Sequence, residues 1–308
     1  MFSVLLRAFS FTFIILIGIM LRSKKIVGEQ AGDAVKKVML NITLPAVIIT
    51  NFAANSNISM DMILLAVLGL VFSVFMVWVG VVLSRRKTKA EQALYILSLP
   101  SYNIGAFCLP FVQGFLPSIG SVVACTFDVG NSIMCTGGTY AFTVEYTGEN
   151  KGGVDIKEFF KKLVTSPPLM VNIVMFVLTL AHIKLPEPVI TFIEPISRAN
   201  TFMAMLMLGL LFHLELKRDY LKDVMVIVGL RYLFAVITAL GIYYFLPFDL
   251  IIRQTLVLVC FAPMSAAAPA YTGMCGGDEG KSSCANSITI ICSLVIITTL
   301  IAVMGLNA

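Results

Sequence analysis

Apolar runs of about 20 residues recur from one end of this chain to the other. A run of that length is what an α-helix needs to cross the hydrocarbon core of a bilayer, because each residue advances the helix by only about 1.5 Å. Hydrophobic residues make up 58% of the 308 residues and charged residues only 13%, about half the charged fraction of an ordinary soluble domain. The pattern predicts an all-α polytopic membrane protein.

The runs divide into ten predicted transmembrane helices. They cover residues 4–22, 35–54, 61–84, 91–116, 119–146, 167–182, 198–214, 221–246, 250–275 and 283–305. The longest polar segment separates the fifth helix from the sixth. It divides the chain into a first five-helix repeat at 1–150, a cytoplasmic midpoint loop at 151–166 and a second five-helix repeat at 167–308.

Basic residues indicate how these helices are oriented. Of the 22 Lys and Arg residues, 17 fall in loops on one side of the predicted membrane, and positively charged loops stay in the cytoplasm. Both termini are therefore expected outside the plasma membrane and the midpoint loop inside. Because each half has an odd number of helices, the second half is inverted relative to the first. The net charge of +5 follows these loops and forms no aromatic-rich basic face, so no nucleic-acid partner is expected.

The fourth and ninth predicted helices contain helix breakers at corresponding places. The fourth carries Pro100 and Pro110 in LPSYNIGAFCLP, and the ninth carries Pro263 and Pro269 in APMSAAAPAYTGMCGG. Proline removes a backbone donor and clashes with the carbonyl one turn earlier. Irregular backbone at membrane depth is tolerated only where protein or a wet cavity satisfies it, and paired interruptions in two inverted halves are typical of transporter substrate sites. The alternative is that these prolines only kink ordinary helices.

Broken helix ends favour an anion, because they present free N–H groups and the positive end of a helix dipole. Asn103 adds an amide beside the first break. The small residues that follow Ser265 would allow a second backbone to approach closely. The two broken helices are therefore predicted to cross beside a substrate.

Asp128 lies inside the fifth predicted helix, and an acidic side chain at that depth usually faces a cavity or a partner. Asn131 follows three residues later and shares its helical face. One hypothesis is that Asp128 carries a proton or tunes the site. The other is that it is a structural aspartate paired with a neighbouring helix, for instance through Arg231. Arg231 could instead hold Glu215 or attract an anionic substrate.

The remaining reactive residues follow no recognised pattern. The seven cysteines form no C-x-x-C motif, the two histidines have no metal-ligand spacing, and no nucleotide-binding or nucleophile motif is present. The sequence therefore predicts no metal ion, no cofactor and no enzyme activity.

Five segments resemble the auxin efflux carrier family, whose bacterial carriers are related to the PIN-type carriers of plants. The segments are LNITLPAVIITNF at 40–52, NIGAFCLP at 103–110, FDVGN at 127–131, LMLGLLF at 206–212 and APMSAAAP at 262–269. Their order and spacing carry the resemblance over essentially the whole chain, since no single motif is highly specific.

This resemblance implies ten helices in two inverted repeats, with helices 1, 2, 6 and 7 as a scaffold and broken helices 4 and 9 crossing near the substrate. It also implies that the cargo is a small organic anion, either a carboxylate or an auxin-like weak acid. The predicted substrate-binding residues are Asn41, Asn103, Gly105, Pro110, Pro263 and Ser265, and the predicted coupling residues are Asp128 and Asn131. Ser265 departs from the family, because many relatives carry an amide or another polar residue there.

The sequence therefore predicts a secondary transporter that moves a small organic anion by alternating access. It leaves open whether a proton or a sodium ion is coupled and whether the protein forms a homodimer. The alternatives are a sodium-coupled carrier of the bile-acid symporter or antiporter type, an intramembrane enzyme and a passive channel.

Overall fold

The chain folds into a bundle of helices joined by short connections. The computed structural model describes residues 2–55, 62–148, 156–214 and 217–306. Within these ranges the chain contains no β-strand. Its α-helices are α1 Phe2–Ser23, α2 Ala31–Val38, α3 Leu44–Ala53, α4 Ile63–Ser84, α5 Lys89–Ser98, α6 Leu109–Phe115, α7 Ser118–Ile133, α8 Thr139–Thr147, α9 Ile156–Val164, α10 Pro167–Leu180, α11 Glu187–Leu211, α12 Arg218–Phe245, α13 Leu250–Cys260, α14 Ala268–Met274 and α15 Glu279–Val303.

Six helical segments of the described residues are long and apolar enough to cross a membrane. They are Leu6–Ser23, Ala31–Ala53, Ile63–Ser84, Ser118–Thr147, Arg218–Phe245 and Glu279–Val303. Large apolar side chains stand exposed on these segments, such as Trp78 and Val295, each with 60% of its surface exposed. Because such a surface suits lipid and not water, the helices indicate a membrane protein. The arrangement of ten spans in two inverted repeats remains a prediction.

In the part of the chain that the structure describes, three π-helical turns interrupt the regular helices, at Met39–Thr43, Ile104–Cys108 and Met134–Gly138. Two of them are followed, after one leucine, by Pro45 and Pro110. In both, the leucine N–H bonds to the carbonyl five residues earlier. The next residue is proline, which has no N–H to donate to the carbonyl four residues earlier as in a regular α-helix. The wider turn and the proline therefore occur together. Such turns are frequent at functional sites.

The helices pack in pairs that are distant in sequence. Helix α1 packs along α11, and α3 packs against both α11 and α10. Helix α4 packs along α5 and α7, while α12 packs along α13 and α15. The two halves of the chain also meet where α5 contacts α15 and where α13 contacts α7. The fourth and ninth predicted helices also meet, because α5 contacts α14 and α13 contacts the π turn Ile104–Cys108.

Glycines allow two of these helix pairs to approach to backbone contact. A Cβ atom at Gly209 of α11 would overlap the carbonyl oxygen of Ile15 in α1. A Cβ atom at Gly130 of α7 would likewise overlap the carbonyl oxygen of Ala66 in α4. Small residues at such crossings let dispersion contacts between backbones hold membrane helices together.

Helix α11 is longer than the sequence predicted. It begins at Glu187, whereas the prediction placed the helix at 198–214. Pro186 and Pro188 occupy its cap and first turn, where a missing N–H costs nothing. Pro195 lies inside the helix without ending it.

The predicted midpoint loop, residues 151–166, contains helix α9. This helix is amphipathic, with Phe159 and Phe160 beside basic residues near its end. It packs against α10 and the π turn Met134–Gly138. Residues 149–155 lie outside the described ranges, and the division of the chain at this loop stays a prediction.

Candidate functional site

Both predicted helix breaks are present in the structure. Helix α5 ends at Ser98, two residues before Pro100, and the backbone stays non-helical up to Asn103. Helix α13 ends at Cys260, and regular helix resumes only at Ala268. Each break exposes carbonyl groups at the end of one half-helix and N–H groups at the start of the next.

The two breaks meet and hydrogen-bond to each other. The N–H of Asn103 donates to the carbonyl of Pro263 at 2.9 Å, and the N–H of Ser265 donates to the carbonyl of Ser101 at 3.3 Å. The two non-helical segments therefore run past each other in opposite directions. Each supplies main-chain partners that the other has lost, which is how irregular backbone is tolerated at membrane depth.

Arg231 of α12 fills the crossing from one side. Its guanidinium group donates to the carbonyls of Leu99 at 2.6 Å, Ala262 at 3.1 Å and Ser98 at 3.3 Å. It also lies 4.0 Å from the ring centroid of Tyr102, and only 1% of its surface is exposed. The carbonyl ends of α5 and α13 carry partial negative charge, so one buried cation stabilises both half-helices at once.

This position corrects one hypothesis about Arg231. Its hydrogen bonds go to main-chain carbonyls and not to Asp128, so Asp128 is not its structural partner. The other suggested partner, Glu215, lies outside the described residues.

An open cavity of about 350 Å³ lies beside the crossing. Six predicted site residues line it: Asn41, Asn103, Gly105, Asp128, Asn131 and Ser265. The other two predicted residues do not line it, because Pro110 is buried in α6 and Pro263 is buried in the second break. Ser166 and Pro167, at the start of α10, also border the cavity. The cavity therefore lies at the end of the bundle that carries the basic loops.

Asn131 connects Asp128 to the first helix break. Its side-chain amide donates to the Asp128 carboxylate at 2.8 Å and to the carbonyl of Tyr102 at 3.0 Å. Ser73 of α4 donates to the Asn131 side-chain oxygen at 3.5 Å. The predicted sharing of one helical face is thus observed, and it fixes the carboxylate at the cavity wall.

Gly105 sits where a larger residue would crowd the cavity wall. A Cβ atom there would lie 3.0 Å from a methyl carbon of Leu44 and 3.5 Å from a carboxylate oxygen of Asp128. Glycine therefore lets the first break lie close to both α3 and α7.

Lys36 and Tyr271 are among the cavity-wall residues that were not predicted as site residues. Lys36 was expected only as one of the basic residues that orient the helices, although it falls inside the predicted second helix at 35–54. Helix α2 begins at Ala31, so Lys36 lies in its second turn and on the cavity wall. Tyr271 of α14 also lines the cavity, and its hydroxyl donates to the carbonyl of Thr136 at 2.8 Å. No side chain caps the start of α2, so the sequence gave no sign that this helix begins as early as Ala31.

The described residues contain no group of three His, Cys, Asp or Glu side chains that could hold a metal ion. The seven cysteines are free thiols. The polar side chains that line the cavity, such as Lys36 and Asn103, can bind a ligand through charge and hydrogen bonds.

Comparison with known proteins gives one relative and no family. No family model matches the chain. The chain is similar to a protein of Methanothermobacter thermautotrophicus named as an uncharacterized transporter, with 25% identity over 240 residues, which cover 76% of each chain. The apolar helices and this similarity together indicate a membrane protein of a transporter type.

Proposed function

We propose that this protein is a secondary membrane transporter that moves a small organic anion by alternating access. The observation that carries the proposal is the contact between two broken helices beside an open cavity, in the central arrangement that carriers use for their cargo. The similarity to a transporter supports the same class. The resemblance to auxin efflux carriers supports a carboxylate or an auxin-like weak acid.

Three features of the cavity wall favour an anion. The helical segment Ile104–Phe115 begins at the cavity, so its N–H groups and the positive end of its dipole face the space. Lys36 adds a positive charge, and Asn41 and Asn103 can donate from their side-chain amides. A volume of about 350 Å³ is at the small end of the range for ligand pockets, which suits a small carboxylate.

The end of the segment Ile104–Phe115 that lies away from the cavity is joined to α1. The guanidinium group of Arg7 donates to the carbonyl of Gly114 and lies 5.6 Å from the centroid of the Phe115 ring. Phe11 packs edge-on against Phe111 at 5.1 Å between centroids. In the proposed alternating-access cycle, α1 and α6 separate while the cavity closes.

The test of the anion site is the substitution Asn103→Ala, assayed by binding and proteoliposome uptake of radiolabelled carboxylates such as succinate and indole-3-acetate. Loss of one hydrogen-bonding amide should raise the Kd of the bound anion by about tenfold, since about 1.4 kcal/mol corresponds to tenfold. The control is Asn51→Ala on α3, which lies outside the cavity and should leave the Kd unchanged. A folded N103A protein with wild-type affinity would contradict this location of the anion.

A sodium-coupled carrier is the second candidate, because Asp128 stands at the wall of a cavity proposed for an anion. A carboxylate there would repel the cargo unless a proton or a metal cation neutralised it. Uptake that requires sodium would favour this candidate, whereas product formation without movement across the bilayer would favour an intramembrane enzyme.

We also propose that the open cavity faces the cytoplasm and that both termini lie outside the cell membrane. The basic loops support this orientation. An epitope tag fused after Ala308 should react with antibody on intact cells, and a tag that reacts only after permeabilisation would reverse the orientation.

A further inference from the structure

A second, buried pocket lies behind Asp128. Its volume is about 10 Å³, and α3, α7, α10 and the π turn Ile104–Cys108 enclose it. Its wall is apolar except for the Asp128 carboxylate, the Asn172 amide and the weakly polar Cys125 thiol. Asp128 borders both this pocket and the open cavity, so its carboxylate separates the two.

The side-chain oxygen of Asn172 is the unpaired acceptor of this pocket. The residue is 4% exposed, and its side-chain oxygen has no hydrogen-bond partner within the protein. A buried acceptor without a partner costs about 1–3 kcal/mol, so such an atom normally faces a ligand or a water molecule. The Asp128 carboxylate, which accepts a hydrogen bond from Asn131, borders the same space. An ionised carboxylate cannot donate to the Asn172 oxygen, so a cation or a donor such as water is needed between the two oxygens.

We propose that this pocket binds one small monovalent cation between Asp128 and Asn172, either a sodium ion or a hydrated proton. Its size matches a single water-sized particle. Both side chains present oxygen, which is the ligand atom that hard cations prefer. The other ionisable side chains near Asp128 are Cys125 in the pocket, Cys108 in the π turn beside it, and Lys36, Tyr102, Cys135 and Tyr271 in the open cavity.

The location of the pocket explains how this cation is coupled to transport. Asp128 is on α7, in the predicted transport part, and Asn172 is on α10, in the predicted scaffold. The pocket exists only while these two helices pack together, so the cation favours one conformation over the other. A bound cation also neutralises Asp128 and removes its repulsion of an anion beside Lys36. Cation and anion therefore increase each other's affinity by the same factor. This coupling rests on the proposed function, whereas binding of the cation does not.

The experiment is thermal unfolding of the purified full-length protein without any carboxylate. One arm replaces choline chloride with NaCl at constant ionic strength and pH, and the other varies pH without sodium. A bound sodium ion should raise the Tm in a saturable way, and a bound proton should make the Tm depend on pH with no response to sodium. Asp128→Asn and Asn172→Ala should each abolish the response or shift its midpoint at least tenfold. The control Asn51→Ala, at a residue that lines neither the open cavity nor this pocket, should keep it.

Two results would overturn the pocket. The first is a wild-type Tm that responds to neither sodium nor pH. The second is a folded N172A protein whose response equals that of the wild type. If N172A does not fold, the Asn172→Asp variant tests the pocket instead. Aspartate has the same size as asparagine but adds a negative charge, so the midpoint of the Tm response to sodium or pH must shift. If the Tm responds to the cation but no carboxylate binds, the proposed function is overturned and the cation pocket is not. If a carboxylate binds but the Tm does not respond to the cation, only the cation pocket is overturned.

Discussion

At the scale of single residues, Arg231 shows what a sequence can and cannot reveal. Its position deep in an apolar helix marks it as buried and partnered. Its partners are main-chain carbonyls at two helix breaks, 31 to 133 residues away. Carbonyl groups are present at every position and leave no mark in the amino-acid sequence, so the sequence suggested acidic side chains or an anionic substrate as partners. Asn131, whose partner Asp128 is one helical turn away, was predictable because local spacing fixes that contact.

We expect Arg231→Lys to lower the Tm strongly. A lysine ammonium is a compact charge without the planar fork that reaches both half-helices, and disrupting a buried charge and its partners typically costs about 3 kcal/mol. The control is Arg198→Lys, because Arg198 is exposed and bonds only to Glu194 one turn away. That change should stay within about 0.5 kcal/mol. Equal Tm values for the two variants would mean that the crossing does not depend on the guanidinium group.

At the scale of elements, the prolines of the fourth and ninth predicted helices lie beside real breaks, whereas the prolines of α11 break no helix. Pro100 and Pro263 lie in real interruptions, whereas Pro188 lies in the first turn of a helix and Pro195 lies inside it. A single sequence cannot separate these cases, because the outcome depends on whether another segment supplies the missing hydrogen bonds. In the two breaks, each segment supplies them to the other.

Helix contacts lead to a second prediction, for the crossing of α1 and α11. We expect Gly209→Ala to destabilise the protein by about 1–3 kcal/mol, because its methyl group would overlap the main chain of Ile15 and force the helices apart. Thermal unfolding and tryptic digestion of the purified variant would measure the loss.

Gly229 on α12 provides the matched control. A Cβ atom there meets nothing within 4 Å, so Gly229→Ala should be neutral or stabilising by up to about 1 kcal/mol through its better helix propensity. A loss of stability as large as that of G209A would show that glycine flexibility, and not close approach, matters at these positions.

At the scale of the whole molecule, composition predicted the membrane class and the breakers predicted where the centre of the bundle lies. The sequence did not indicate that Arg7 and Phe11 would join α1 to α6, nor that Lys36 would line the cavity. Those features depend on which helices become neighbours, and hydrophobic periodicity carries no information about pairing. The ten-span inverted repeat was read from the sequence alone and stays a prediction.

The contacts between α1 and α6 lead to a prediction about local stability. Arg7→Ala removes a hydrogen bond and a cation–π contact that join these two helices, so they should separate more often. Hydrogen–deuterium exchange should become faster in Leu109–Phe115 and stay unchanged in Ala268–Met274, which lies in the other broken helix. Identical exchange in both segments of the variant and the wild type would show that these contacts do not hold α1 and α6 together.

The reciprocal hydrogen bonds between Asn103 and Pro263 and between Ser265 and Ser101 have a consequence for how the protein is made. While the ribosome has finished only the first half, the segment around Asn103 has no main-chain partners, because these are encoded about 160 residues later. Biogenesis must therefore keep this segment wet or shielded by the insertion machinery until the C-terminal half arrives. Two halves expressed as separate polypeptides should accumulate only when they are produced together.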